Sequence, residues 1–133
     1  MEKRKFITEL LSKYDFGKTV ELLISEAERR NWKIPAVHDL QQTLAKSGIN
    51  VKPVKVLEIC KPQYSAKILE LNDERIISVM MPCRISIYQK DDGGTYMAII
   101  NGDELTADQP GKVVSAMKAA SDEISEIVST VSQ

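Results

Sequence analysis

Residues 83–101, CRISIYQKDDGGTYMAIIN, decide the fold class. Cys83, Ile85 and Ile87 alternate with Arg84, Ser86 and Tyr88, the period of two that puts one set of side chains on each face of a strand. Asp91-Asp92-Gly93-Gly94 follows, and glycine supplies the positive φ that tight hairpin turns require. Tyr96 to Asn101 then returns, so the stretch predicts a β-hairpin and with it an antiparallel sheet. Tyr88 and Tyr96 are expected to face each other across the hairpin, a pairing that by itself stabilises a sheet.

Towards the C-terminus, Gly102 to Gly111 reads as a long polar connection, the kind of segment that carries mobile or functional loops. Beyond it, Val113, Met117, Ala120, Ile124, Ile127 and Val131 recur at intervals of three and four, one apolar stripe on a helix running to about Thr130. That stripe is expected to cover a sheet, with part of it at a dimer interface as the alternative.

Towards the N-terminus, Ile76 to Met81 has only Ser78 as a polar residue and reads as a strand covered on both faces. Asn72 to Arg75 forms a polar turn before it, and Pro62 opens a helix in which Tyr64, Ile68 and Leu71 share a face. Val51 to Ile59 is rich in β-branched residues, with Pro53 near its start, and predicts a strand. Asp39 and Gln42 have capping-box spacing, Leu40 and Leu44 lie one turn apart, and Gly48 closes that short helix. Trp32 to Val37 is extended. Val20, Leu23, Ile24 and Ala27 define an amphipathic helix from about Phe16 to Arg30, started by Asp15 or Thr19 oxygens and stopped at Asn31. Residues 6–14 fit either a helix or a strand. The sum is one two-layer α+β domain over residues 1–133: a mainly antiparallel β-sheet packed against α-helices, with a long C-terminal helix.

The chain has 133 residues, 43% hydrophobic and 28% charged. That is enough to hold a core without metal or disulfide staples. Its 18 basic and 19 acidic residues leave a net charge of -1, far from the basic balance that phosphate neutralisation demands, so nucleic acid is not an expected partner. Lys3, Arg4 and Lys5 form the only basic cluster and read as a solvated end. No run reaches the roughly 18 apolar residues a membrane span needs, and Phe6 to Leu11 is too short and interrupted for a signal-peptide core. The expectation is a cytoplasmic protein starting at Met1, with no membrane partner and with Cys60 and Cys83 as reduced thiols.

Phosphate-binding, dinucleotide-binding, nucleophile-elbow and zinc-protease motifs are all missing from the sequence. What remains is a sparse set of soft or titratable side chains: His38, Cys60, Met80, Met81 and Cys83. Imidazole, thiolate and thioether are the donors that soft cations such as Cu(I) prefer. No local spacing fixes two of them together, and a buried cysteine or methionine is ordinarily packing material. The same residues also allow a general base, His38, beside a thiol nucleophile, Cys60 or Cys83.

The runs PAVHDLQQTLAKSGINVKPVKVLEICKPQYSAKIL and RIISVMMPCRISIYQKDDGGTYMAIIN resemble the bacterial and archaeal family known as domain of unknown function 302 (DUF 302). The resemblance covers about Tyr14 to Val128, and its most specific pieces are V-H-D-L at 37–40, C-K-P at 60–62 and M-M-P-C-R at 80–84. It implies a single α+β domain, commonly a homodimer, and favours the strand reading of residues 6–13. It carries over His38, Asp39, Cys60, Pro62, Met81, Pro82, Cys83 and Arg84, and assigns no activity or cofactor. GDELTADQPGK after Asn101 departs from the family pattern. Three readings follow. The first is a non-enzymatic homodimer binding a small apolar ligand or soft metal in a pocket bordered by His38, Cys60, Met81, Cys83 and Arg84. The second is a thiol-dependent enzyme or redox protein using Cys83 or Cys60 with His38. The third is a structural or interaction module.

Overall fold

The computed structural model describes residues 6–133 and the backbone of Glu2–Lys3. In chain order the elements are β1 (Glu2–Lys3), β2 (Ile7–Leu11), α1 (Phe16–Arg29), β3 (Lys33–Asp39), α2 (Leu40–Ala45), β4 (Val54–Cys60) and α3 (Pro62–Leu69). A 3₁₀ helix (Asp73–Met80) follows, then β5 (Cys83–Gln89), β6 (Thr95–Ile100), α4 (Gly102–Leu105) and α5 (Gly111–Ser129). The strands form one sheet in the order β1-β2-β6-β5-β4-β3, antiparallel throughout. The fold is thus α+β, with the antiparallel sheet and long C-terminal helix that the hydrophobic patterning predicts.

The hairpin forms as its alternation requires. Gly93 has φ 81°, a conformation that costs glycine nothing, and Tyr88 pairs with Tyr96, their rings stacked at 6.2 Å. Ile85 and Ile87 of β5 join Leu57 and Ile59 of β4, and Met97 and Ile99 of β6, on one buried face. Val20, Leu23 and Ala27 of α1, with Ala120, Ile124 and Ile127 of α5, cover it. Val113 and Met117, at the start of α5, pack instead with Ile68 of α3 and with Ile77, so the whole apolar stripe is buried within the chain. Along the middle of these strands residues alternate across the pleat, so Val56, Arg84, Ser86 and Tyr88 point to the other face, away from the buried core.

The local stop and start signals act as their chemistry predicts. Asp15 Oδ1 accepts from the Lys18 N–H at 2.8 Å and Asp39 Oδ1 from the Gln42 N–H at 3.0 Å, each satisfying a backbone donor with no partner inside the helix. Asn31 ends α1 with φ 67°. Residues 7–11 resolve as a strand, paired with β6.

The expected strand at 76–81 is not one. Residues 73–80 coil as a 3₁₀ helix in which Ile77 is buried while Ile76 and Val79 are 70% and 82% exposed. A short apolar run does not distinguish strand from helix by periodicity, and here the geometry of the sheet decides. β5 already has β4 on one side and β6 on the other, so the segment preceding it cannot fold back to pair with β5. With about three residues per turn, Ile77 and Met80 align on one row and Ile76 and Val79 on the opposite one. The connection after β6 is also more ordered than its polarity implies. It opens with α4, and the buried Thr106 hydroxyl donates to the Gly102 carbonyl at 2.8 Å. A Cβ at Gly102 would stand 2.8 Å from Met117 Cε, a contact that the flexible methionine end can relieve by shifting.

Candidate functional site

β4 and β5 end side by side, with Ile59 in register with Cys83. Past those ends the chain turns into α3, which leans on α5, and the 3₁₀ helix closes the third side. The helices and strand ends do not meet completely, and a cavity of about 380 Å³ remains between them. This is within the roughly 300–1,000 Å³ range of small-molecule pockets. Its floor is Ile59, Cys60 and Cys83; its walls are Ile68 and Leu69 of α3 and Ala116, Met117 and Ala120 of α5; Met80, Met81 and Pro82 form one end. The lining is overwhelmingly apolar.

The opposite end is built from Trp32, Lys61 and Tyr64 around one carboxylate. Glu123 Oε1 accepts from Trp32 Nε1 at 2.8 Å and from Lys61 Nζ at 2.5 Å, while Oε2 accepts from Tyr64 Oη at 2.6 Å. The ammonium of Lys61 also donates to the Arg30 carbonyl at 3.0 Å and stands 5.8 Å and 5.6 Å from the Trp32 and Tyr64 ring centres. Burial opposes the charge on Glu123, yet the hydrogen bonds from Lys61, Tyr64 and Trp32 hold its carboxyl below the usual range. The same bond to Glu123, followed by burial, pushes the Tyr64 phenol up to about 12. The cluster ties α5 to the start of α3 and to the turn after α1, and it gives the apolar cavity a charged, hydrogen-bonded rim.

The structure divides the residues singled out from the sequence. Cys60, Met81 and Cys83 line the cavity, together with Met80. His38 and Arg84 do not. His38 pairs with Val56, and Arg84 with Glu58, in register, which puts both on the uncovered face of the sheet. His38 Nε2 lies 2.9 Å from Glu58 Oε2 there, so its partner is a carboxylate rather than a thiol. A pocket shared by all five residues, and a His38–cysteine dyad, are therefore not formed within this chain. The period-two alternation of the strands is the physical reason: Arg84 is adjacent in sequence to Cys83 and must face the other way.

Burial, and then the proximity of Cys60, pushes the Cys83 thiol up to about 11. Roughly one molecule in ten thousand then carries the thiolate at pH 7. Iodoacetamide is expected to modify Cys83 in the folded protein about 100-fold more slowly than in the urea-unfolded chain, because the thiolate is the reactive form. Peptide mapping of a labelling time course checks this; an equal or faster native rate would mark an activated nucleophile.

No motif in the sequence marks Trp32, Lys61 and Glu123 as one cluster, though each leaves a trace. Trp32 is the only tryptophan, Lys61 is the middle residue of C-K-P, and Glu123 borders the apolar stripe of α5 beside Ile124. The partnership of residues 91 positions apart carries no local signal.

The family model for the domain of unknown function DUF302 matches residues 8–131. The chain belongs to the DUF302 family. The DUF302 chain is also similar in fold to a solved structure, the crystal structure of an uncharacterized conserved DUF302 protein from Bacillus stearothermophilus. The TM-score is 0.85 at 17% sequence identity, over 95% of this chain and 98% of that one. No curated protein matches the sequence.

Proposed function

We propose that this DUF302 protein is a non-enzymatic binding module that takes a small, mainly apolar ligand in the cavity between α3, α5 and the ends of β4 and β5. The cavity carries the reading. It is large enough for a small organic molecule, and its lining is mainly apolar with a few polar groups at one rim, the make-up of a small-molecule site. A protonated Cys83 and a His38 turned to the far face of the sheet weigh against the thiol-enzyme alternative. A cytoplasmic setting, where both free thiols stay reduced, accords with the near-balanced charge. Among the described residues, no helix is long and apolar enough to cross a membrane.

The protein is proposed to act as a homodimer. With the α5 stripe occupied, the support comes from another region: Val37, Leu40, Leu44, Ile49 and Val51 are all exposed on and around α2, an apolar concentration that a partner subunit would cover. An interaction role is the second reading that this patch favours.

Native mass spectrometry of protein purified without chelator tests both halves. The expected spectrum is a dimer carrying a non-covalent adduct that disappears in Ala120→Phe, whose ring would fill the cavity, and a monomer in Leu40→Glu/Leu44→Glu. A wild-type dimer with no adduct, together with failure of the apolar fluorophore anilinonaphthalene sulfonate to bind, would overturn the ligand reading and leave the interaction role.

A further inference from the structure

The chain has two cysteines and five methionines, and five of these seven side chains, Cys60, Cys83, Met80, Met81 and Met117, line this one cavity. Leucine fills apolar space with no loss, so packing alone does not require sulfur to gather there. The two thiols come from neighbouring strands at one end of the sheet, Cys60 directly following the register partner of Cys83. Met80 and Met81 stand just before Cys83 in the chain and line the same cavity. Among the described residues no group of three His, Cys, Asp or Glu is placed to hold a metal ion. The lining donors are two thiols and three thioethers, and the one carboxylate among the lining residues, Glu58, is engaged by His38, so the set does not match zinc, calcium or magnesium.

We propose that the sulfur-lined end of the cavity binds one monovalent soft cation, Cu(I) or its analogue Ag(I), through Cys60 and Cys83 with a methionine thioether. Thiolate and thioether donors select Cu(I) over harder ions. Each coordinating thiol exchanges its proton for the metal, so that Cys–SH and Cu(I) give Cys–S–Cu(I) and H⁺, with no change of oxidation state. The inference rests on the cavity being the ligand site, and narrows that ligand to one chemical class.

The test is an anaerobic titration of the intact protein with Cu(I) against the chromophoric chelator bicinchoninate, followed by native mass spectrometry. One ion per chain is expected, with affinity rising about tenfold per pH unit for each proton displaced. Cys60→Ser and Cys83→Ser are each expected to weaken binding at least about 100-fold, and Met81→Leu about tenfold. Protection needs no variant: one equivalent of Cu(I) is expected to block iodoacetamide labelling of both thiols in the wild-type protein. Loss of all the Cu(I) to bicinchoninate, or unchanged affinity in Cys60→Ala/Cys83→Ala, would overturn the metal site. Anilinonaphthalene sulfonate separates the two readings. Probe binding without Cu(I) binding removes the metal and keeps the apolar ligand; Cu(I) binding without probe binding supports the metal and removes the apolar ligand.

Discussion

Replacing Glu123 by alanine is expected to lower the stability of this DUF302 protein by about 3 kcal/mol, roughly 10 °C in Tm. The side chains of Glu123 and Lys61 are only 15% and 17% exposed, so the variant leaves an ammonium largely out of water with its carboxylate gone. The Tyr64 hydroxyl and the Trp32 N–H lose their acceptor at the same time. An unpaired buried group costs more than its pair contributed, because the desolvation is no longer offset. Glu123→Gln keeps acceptor and donor atoms at the site while removing the charge, and is expected to fall between the two. Urea unfolding of the three proteins measures this; a change below about 0.5 kcal/mol in Glu123→Ala, the range of ordinary surface substitutions, would show the cluster to be solvated decoration.

The same cluster sets a pH window. The Glu123 carboxyl lies below its ordinary 4.5 in the folded state, so its contribution is present above 4.5 and is lost as pH falls through the lower folded value. Glu26, held down to about 2 by hydrogen bonds from Arg29 and then Arg30, acts with the same sign. Tyr64 works in the other direction. Raised from 10.0 to about 12, it adds stability that is complete below pH 10 and is lost as pH rises through 12. Stability is expected to be flat between about pH 5 and 9 and to decline at both ends. Glu123→Gln should remove the Tyr64 share of the alkaline decline, since the bond to Glu123 is the first cause of the Tyr64 shift, while Cys83, Tyr88 and Tyr96, raised by burial and by other partners, keep theirs. It should remove only part of the acid decline, because Glu26 is untouched.

The second large effect is expected at Leu57, which has 0% exposure under the helices, with Val37 and Ile85 as its register partners. Leu57→Ala should cost about 3–4 kcal/mol, from the lost transfer free energy and the hole left under α1 and α5. Val56, one residue earlier, pairs with His38 and Ser86 on the uncovered face, and Val56→Ala should cost less than about 1 kcal/mol. The contrast is the measurement. Equal losses would mean that the second face is covered in solution, by a partner subunit, and the dependence of Tm on protein concentration would then reveal it.

Much of this architecture was legible residue by residue, because it rests on local chemistry. The two-residue period of 83–88, the paired glycines at 93 and 94, the capping oxygens of Asp15 and Asp39 and the stripe of α5 each act over one or two turns of chain. The family membership was legible too, in C-K-P and M-M-P-C-R. Of the candidate site, the sequence supplied Cys60, Met81 and Cys83 but grouped them with His38 and Arg84, which the pleat turns to the other face.

What the sequence by itself determined is the set of elements and the face each residue takes within them, since backbone sterics and side-chain period are properties of neighbours. What only the tertiary structure decided is which faces meet. Ile76 to Met80 coils as part of a 3₁₀ helix because both edges of β5 are already paired, a fact held by strands on either side of it in the chain. The cavity exists because α3, α5 and two strand ends fail to close on one another, and Glu123 reaches Trp32 across 91 residues. Such meetings depend on long-range packing, which no local spacing encodes.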